Sequence, residues 1–311
     1  MPTKSHIIRN FQKNDLPLFA RSFNNISGTE NTLKAYDESS MYQLLSLPPI
    51  IPEKDCFLAL SANHILGFAI VYRELKISRT VTNIGVNKDY RKSNIEQDLL
   101  QVVIDYAKSN KSSVLHIQVP IEADNTRQML LSMDFTEVKQ YWGMKHGKGS
   151  PTRMSAPQGF TLRPFKLGTD ESSLTEIQNA AFNDHWGFCP NTEEDIAAKV
   201  RFSRSFPDGI IFAMKDERIA AYNWTMRTPA GKGSTGWIAM TGVHPDYRGL
   251  GLGKAIASSG VAYLYETGMS TIELEVDSAN TKAINIYQAL GFNKITENVW
   301  YELKINAPTI I

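Results

Sequence analysis

Residues 243–255 read VHPDYRGLGLGKA. Arg248, Gly249, Gly251, Gly253 and Lys254 fall between a run of strand character and a run of helical character. Those residue types in that order suit the binding of an anion. The first N–H groups of a helix have no partner within it, and its N-terminus carries a partial positive charge. Glycine lets a phosphate approach such groups with no Cβ in the way, and Arg248 and Lys254 add charge. Two phosphate loops fail to fit. A G-x-x-x-x-G-K-[ST] loop needs glycine where Arg248 stands and Ser or Thr where Ala255 stands. A G-x-G-x-x-G loop read from Gly249 ends on Lys254. What remains is the spacing Arg-x-x-Gly-x-Gly, from Arg248 through Gly251 to Gly253.

The flanking pattern supplies elements to position such a loop. Strands are expected at 160–165, 209–215, 218–227, 234–243, 271–277 and 299–305, with Asp216-Glu217 as a hairpin turn. Helices are expected at 170–184, at 192–203 behind the cap Thr192, at 253–267 and at 280–290. In the last of these Ala283, Ile284, Tyr287 and Leu290 share a face, and Gly291 is placed to stop the helix. Ile272, Leu274 and Val276 alternate along their strand. This order is an α/β pattern.

The chain also repeats itself. Gly-Val-x-x-Asp-Tyr-Arg occurs at Gly85–Arg91 and at Gly242–Arg248, 157 residues apart. At that same offset HIQVP (116–120) falls on ELEVD (273–277), and MDF (133–135) on LGF (290–292). Three segments at one offset indicate duplication of a whole domain, since solenoid repeats have periods of 20–50 residues. The Gly-, Pro- and Ser-rich stretch 147–159 reads as the linker. The expected division is therefore 1–146, linker 147–159, and 160–311.

The Arg248–Gly253 spacing resembles the Q/R-x-x-G-x-G/A loop of the GNAT acetyltransferase superfamily. ELEVDSANTKAINIYQALGF (273–292) resembles that superfamily's second signature, and FNDHWGFCPNTEED (182–195) resembles the tandem-GNAT subgroup that includes mycothiol synthase. The resemblance implies an α/β fold of two tandem GNAT-type domains, each a mixed central sheet flanked by helices. It implies acetyl-CoA as cosubstrate. Thr241, Gly242 and Val243 would meet the pantetheine arm, Arg248, Gly249, Leu250, Gly251, Leu252, Gly253 and Lys254 the pyrophosphate, and Asn280 and Tyr287 the wall near the sulfur. Acetyl transfer to an amine requires the amine to lose a proton and the departing thiolate to gain one, work suited to a carboxylate and a phenol. Glu275 and Tyr287, twelve apart, resemble the Glu and Tyr pair of the ribosomal-protein alanine N-acetyltransferases. That assigns Tyr287 as general acid and Glu275 as general base, with Glu273 as the substitute base. His185, Trp186 and Phe188 would wall the acceptor. The expected acceptor is a primary amine of a small molecule or a peptide N-terminus. The competing readings are a non-catalytic acyl-CoA sensor and a partner-binding module.

The first half lacks this chemistry. Lys92, Asn94 and Glu96 stand at the places of Gly249, Gly251 and Gly253. Leu130 stands at that of Tyr287 and Gln118 at that of Glu275. Asn125 is read as keeping the place of Asn280 after a loop two residues longer.

The 311 residues include 33 Lys and Arg against 32 Asp and Glu, a net charge of +1. That balance excludes a strongly basic nucleic-acid coat and points to no nucleic-acid partner. The N-terminal fifteen residues hold no secretory apolar region, and no apolar run is long enough to span a bilayer. The expectation is a cytoplasmic monomer or homodimer. Cys56 and Cys189 are too few for a disulfide framework or a multi-cysteine zinc site, and are read as free thiols. His185 and His244 have no partners at metal-ligand spacing, so no metal is expected. Trp224 and Trp237 are assigned to the core.

Overall fold

The computed structural model describes residues 6–29, 34–91, 93–147, 153–228 and 231–305. The chain forms two compact units, one of 1–139 with 298–311, the other of 140–297. Along the chain the first unit holds β1 (Ile7–Asn10), α1 (Leu16–Ile26), α2 (Glu38–Leu45), α3 (Pro52–Asp55), β2 (Cys56–Ser61), β3 (His64–Glu74), β4 (Arg79–Val86), α4 (Ile95–Ser109), β5 (Val114–Pro120) and α5 (Asp124–Ser132). Strand β6 (Thr136–His146) starts in this unit and ends in the other. The second unit continues with β7 (Thr161–Pro164), α6 (Glu171–Phe182), α7 (Glu193–Val200), β8 (Ser205–Lys215), β9 (Arg218–Arg227), β10 (Thr235–Val243), α8 (Leu252–Glu266), β11 (Thr271–Asp277) and α9 (Thr281–Ala289). Strand β12 (Phe292–Lys304) starts there and ends in the first unit.

Each unit is a mixed sheet with helices on both faces. In the first the order is β1-β2-β3-β4-β5 and then Asn298–Lys304 of β12. In the second it is Tyr141–Lys145 of β6, then β11-β10-β9-β8-β7. The parallel pairs are β4 with β5 and β10 with β11. Two apolar clusters sandwich each sheet. In the second unit Ile238, Leu274 and Val276 meet α8 and α9 through Ile256, Leu264 and Tyr287. On the other face Phe212, Tyr222 and Trp224 meet α6 and α7 through Leu174, Ile177 and Ile196.

The duplication appears as shared boundaries. Helices α4 and α8, strands β5 and β11, and helices α5 and α9 start and stop 157 residues apart. This corrects one sequence expectation. Because α5 begins at Asp124 as α9 begins at Thr281, the intervening loops are equal in length, and Ala123 rather than Asn125 holds the place of Asn280. Asn280 caps its helix by accepting from the Ala283 N–H, whereas α5 has no side-chain cap.

The units also cut the chain differently from the sequence division at 147–159. Val299, Tyr301 and Ile305 are buried in the core of the first unit, and Met144 in that of the second. Each sheet thus takes a strand from the other half of the sequence. Within 147–159, residues 148–152 lie outside the described set. Residues 153–159 lie along α8, where the Met154 N–H donates to Ser258 Oγ at 3.1 Å and Arg153 pairs with Glu266 at 2.8 Å.

A fragment starting at residue 160 lacks Tyr141–Lys145, the partners of Glu273–Asp277, and leaves β11 as an open edge that invites aggregation. Residues 140–297 expressed alone should be more soluble and melt at a higher temperature than residues 160–311, as read by size-exclusion chromatography and circular dichroism. Equal behaviour of the two fragments would show that β6 does not complete this sheet.

Candidate active site

Strands β10 and β11 pair from Thr235 with Thr271 to Ile238 with Leu274, and the ladder stops there. The opposite edge of β10 stays paired to β9 as far as Val243 with Ala221, across a bulge between Ile238 and Met240. The two parallel strands therefore part, leaving backbone groups of Thr241–Val243 open on the side facing away from β9. A cleft of about 540 Å³ occupies the parting. It is lined by Thr241, Gly242, Val243, Arg248, Gly249, Gly251, Leu252, Gly253, Lys254, Asn280 and Tyr287. Of the residues assigned to the cofactor only Leu250 is not among them, and it is largely exposed. Lys282 also lines the cleft, a third cation that the sequence reading missed.

At one end of the cleft stands the start of α8. Gly249 and Gly251 have φ of +84° and +80°, the left-handed region in which a side chain is strained. Gly251 is the N-cap and provides no side-chain bond, so the first N–H groups of α8 lack a capping side chain. An extended arm along Thr241–Val243 ending in a phosphate at α8 matches these open groups. Arg248 is held at the rim. Its guanidinium donates to Asp184 Oδ2 and to the Ala181 carbonyl, each at 3.0 Å. The bond from Arg248 holds the Asp184 carboxyl below its usual range.

The phenol of Tyr287 lies deep in the cleft wall. Burial raises its pKa, and a hydrogen bond with Thr241 partly offsets the rise. Thr241 Oγ1 accepts from Asn223 Nδ2 at 2.7 Å, so its own proton is free to reach the phenol oxygen. The phenol proton is then free to point into the cleft. Asn223 fits because α8 has glycine at position 260, where a Cβ would stand 1.8 Å from Asn223 Oδ1. Neither Asn223 nor Gly260 carries a local sequence signal.

Glu275 stands elsewhere. Ile272, Leu274 and Val276 face α8 and α9, so Glu273 and Glu275 project from the other face of β11. Glu275 is exposed and does not line the cleft, so the strands separate it from Tyr287. The loop after α6 belongs to that second face. His185 lines the cleft and packs on Phe182 at 4.7 Å. Phe188 packs on Phe182 at 6.0 Å, and Trp186 is half-buried beside it. Neither of these two lines the cleft. Asn179 braces the loop's far end with two 3.0 Å bonds to the Asn191 backbone, another residue without a sequence signal. Trp224 is buried as expected, but Trp237 is 36% exposed and is not a core residue. Among the described residues, no group of three or more His, Cys, Asp or Glu could hold a metal ion.

Comparison with known proteins decides the family. Residues 172–292 match the acetyltransferase (GNAT) family model. A mycothiol acetyltransferase of Stackebrandtia nassauensis is 32% identical over 77% of this chain and 80% of its own. One from Pseudarthrobacter chlorophenolicus is 28% identical over 87% and 83%. The chain belongs to the GNAT acetyltransferases. It transfers an acetyl group from acetyl-CoA to an amine. Solved structures agree on the fold. A GCN5-related N-acetyltransferase from Sphaerobacter thermophilus superposes with a TM-score of 0.74 at 18% identity, covering 97% of this chain and 96% of its own. A tandem GNAT protein from the clavulanic acid biosynthesis pathway gives 0.73 at 15%, covering 97% and 99%. No helix among the described residues is long and apolar enough to cross a membrane.

The first unit has a corresponding cleft lined by different residues. Strands β4 and β5 also part, after Thr82 with Ile117, and a cleft of about 760 Å³ remains. Asn94 stands at the N-cap position of α4 at φ −80° with no side-chain cap, not in the left-handed geometry of Gly251. Glu96 occupies the place of Gly253 and lines the cleft, where Thr126 donates to it at 2.9 Å. Leu130, in the place of Tyr287, is fully buried. Gln118 lines the cleft, and Lys92 lies outside the described residues.

Calorimetry should find one acetyl-CoA per chain. Gly251→Glu places a carboxylate and a strained φ at the anion end of the second unit's cleft, and should weaken binding at least about tenfold. A second site of equal affinity, or unimpaired binding by Gly251→Glu, would show that the anion end lies elsewhere.

Proposed function

We propose that the second unit acetylates a primary amine of a small molecule or a peptide N-terminus by direct transfer from acetyl-CoA, and that the first unit is non-catalytic. The observation that carries this is the placement of a phenol and a carboxylate on opposite faces of the same strand parting. Acetyl-CoA supplies an acyl group activated as a thioester. Thr241–Val243 hold its arm by backbone hydrogen bonds, while the start of α8, with Arg248, Lys254 and Lys282, takes the phosphates. The Val243 region offers a backbone N–H to the carbonyl oxygen as charge develops there. Glu275 removes the proton of the arriving ammonium, directly or through one water. Tyr287 delivers its proton to the departing sulfur and is oriented by Thr241 and Asn223. An acid and a base on opposite sides keep the two proton transfers from short-circuiting each other. The name shared by the relatives favours a small-molecule acceptor over a peptide. Cys56, buried and outside any disulfide, suits a reducing cytoplasm. A passive acyl-CoA sensor would have no use for the Asn223–Thr241–Tyr287 relay, which supports turnover over sensing.

In steady-state assays with an amine panel, Tyr287→Phe should lower kcat by about 10²–10⁴-fold with little change in acetyl-CoA affinity. The raised phenol pKa keeps the acid protonated, so wild-type kcat should not fall with rising pH below about pH 10. An alkaline fall near pH 8 that disappears in Tyr287→Phe would contradict that placement.

Glu275→Gln should lower kcat/KM at neutral pH and recover in part at high pH, where more of the amine is already neutral. Glu273→Gln should show no such pH-dependent recovery. The reverse pattern would exchange the two roles.

A further inference from the structure

Trp237 is the large apolar side chain left open in the middle of the second unit's sheet. Strand β10 lies between β9 and β11, yet Trp237 is more than a third exposed. Among the described residues, none hydrogen-bonds its indole N–H. Its register partners define the face it belongs to. Met226 stands opposite on β9 and Glu273 on β11, and Glu273 is in turn opposite Lys145 of β6. Met226 packs against the α6 and α7 cluster. That cluster buries Phe212, Tyr222 and Trp224 and does not include Trp237. The exposed indole therefore lies on the face that carries Glu273, Glu275 and the 183–190 loop, opposite the face of Tyr287.

Position along the strands gives this indole a task. Trp237 and Glu273 form the rung just before the last one that β10 and β11 share. Glu275 lies two residues further along β11, about 7 Å nearer the parting. A molecule that lays a ring on the indole thus brings a group one or two bonds beyond the ring to Glu275. A ring buried against indole gains apolar contact in a fixed orientation, and an ammonium carried beyond its edge is attracted by the carboxylates. A short alkyl amine reaches Glu275 but leaves the indole wet.

Resting on the proposed function of this site, we infer that Trp237 is the platform for the acceptor's body and that it selects primary amines carried one or two bonds from a ring. Trp237 is a specificity residue and takes no part in proton transfer.

The test compares phenethylamine and cyclohexylmethylamine with ethylamine, at saturating acetyl-CoA, in wild type, Trp237→Phe and Trp237→Ala. Wild type should favour the ring amines in kcat/KM by about tenfold or more, with the difference in KM. Trp237→Phe should keep most of that preference. Trp237→Ala should abolish it, while kcat on ethylamine and the KM for acetyl-CoA stay within about twofold. If Trp237→Ala keeps the ring preference, or lowers kcat on all three amines alike, the platform assignment is wrong. Turnover of any amine supports the function proposed above, whatever Trp237 does. If none of the three is turned over, that function fails for them, and binding still decides the platform. Phenethylamine should quench tryptophan emission in wild type and not in Trp237→Phe, and equal quenching in both would overturn the inference.

Discussion

The site depends on two parallel strands that cannot stay together. Strand β10 has to follow β9 to Val243, through a bulge that adds a residue after Ile238. Strand β11 has to follow β6 from Glu273 to Asp277. Each outer partner holds its strand along the part that the inner ladder has lost. The parting is thus imposed by the flanking strands and does not rely on the loop beyond it. It opens at the carboxyl ends of the parallel strands, where an α/β sheet leaves room for a ligand and where the next helix begins. Backbone groups for an extended arm, an uncapped helix start for an anion, and access from both faces all follow from it.

The parting is necessary without being sufficient. Strands β4 and β5 separate after four rungs as well, and a larger cleft results. Strand β4 keeps an unbroken register with β3, however, and no left-handed glycine opens the start of α4. Glu96 there is half-buried, which raises its pKa despite the Thr126 bond and the nearby Arg91. An acidic side chain in the first turn stands where a phosphate would approach the helix N-terminus and opposes its charge. The same sheet geometry therefore ends at a helix start opened by left-handed glycines in one unit and at one that carries Glu96 in the other.

What could be read from the sequence was what is local. The Arg248–Lys254 loop, the cap Thr192, the Asp216 turn and the stop at Gly291 each depend on a few adjacent residues, and each stands where it was expected. The destination of β12 was not legible. Val299 and Tyr301 alternate as a strand with one buried face, but alternation does not say which sheet buries it, and the partner Val114–Pro120 lies far away in sequence. Trp237 was misread for a related reason. An aromatic residue on an interior strand is buried only if something covers it, and the extent of α6 and α7 over the sheet is a property of the folded unit. Asn223 and Gly260 escaped because the sequence signal is merely a polar residue in an apolar strand and a small residue in a helix.

The exchange of strands gives the first unit a structural role. The final strand runs from the second unit into the first, where Asn298–Lys304 pairs with β5 and Val299 and Tyr301 are buried. Without a folded first unit that half of β12 would expose a row of backbone groups and two large side chains, a template for aggregation. Strand β6, which closes the edge of β11, likewise starts in the first unit and is fed directly from α5. The first unit keeps an apolar core and an unbroken β3–β4 ladder although no left-handed glycine opens α4 and Leu130 stands in the place of Tyr287. Substitutions that unfolded that unit would leave Asn298–Lys304 without the ladder and the core that bury it. The fold of the first unit therefore matters to the chain whatever its own cleft binds.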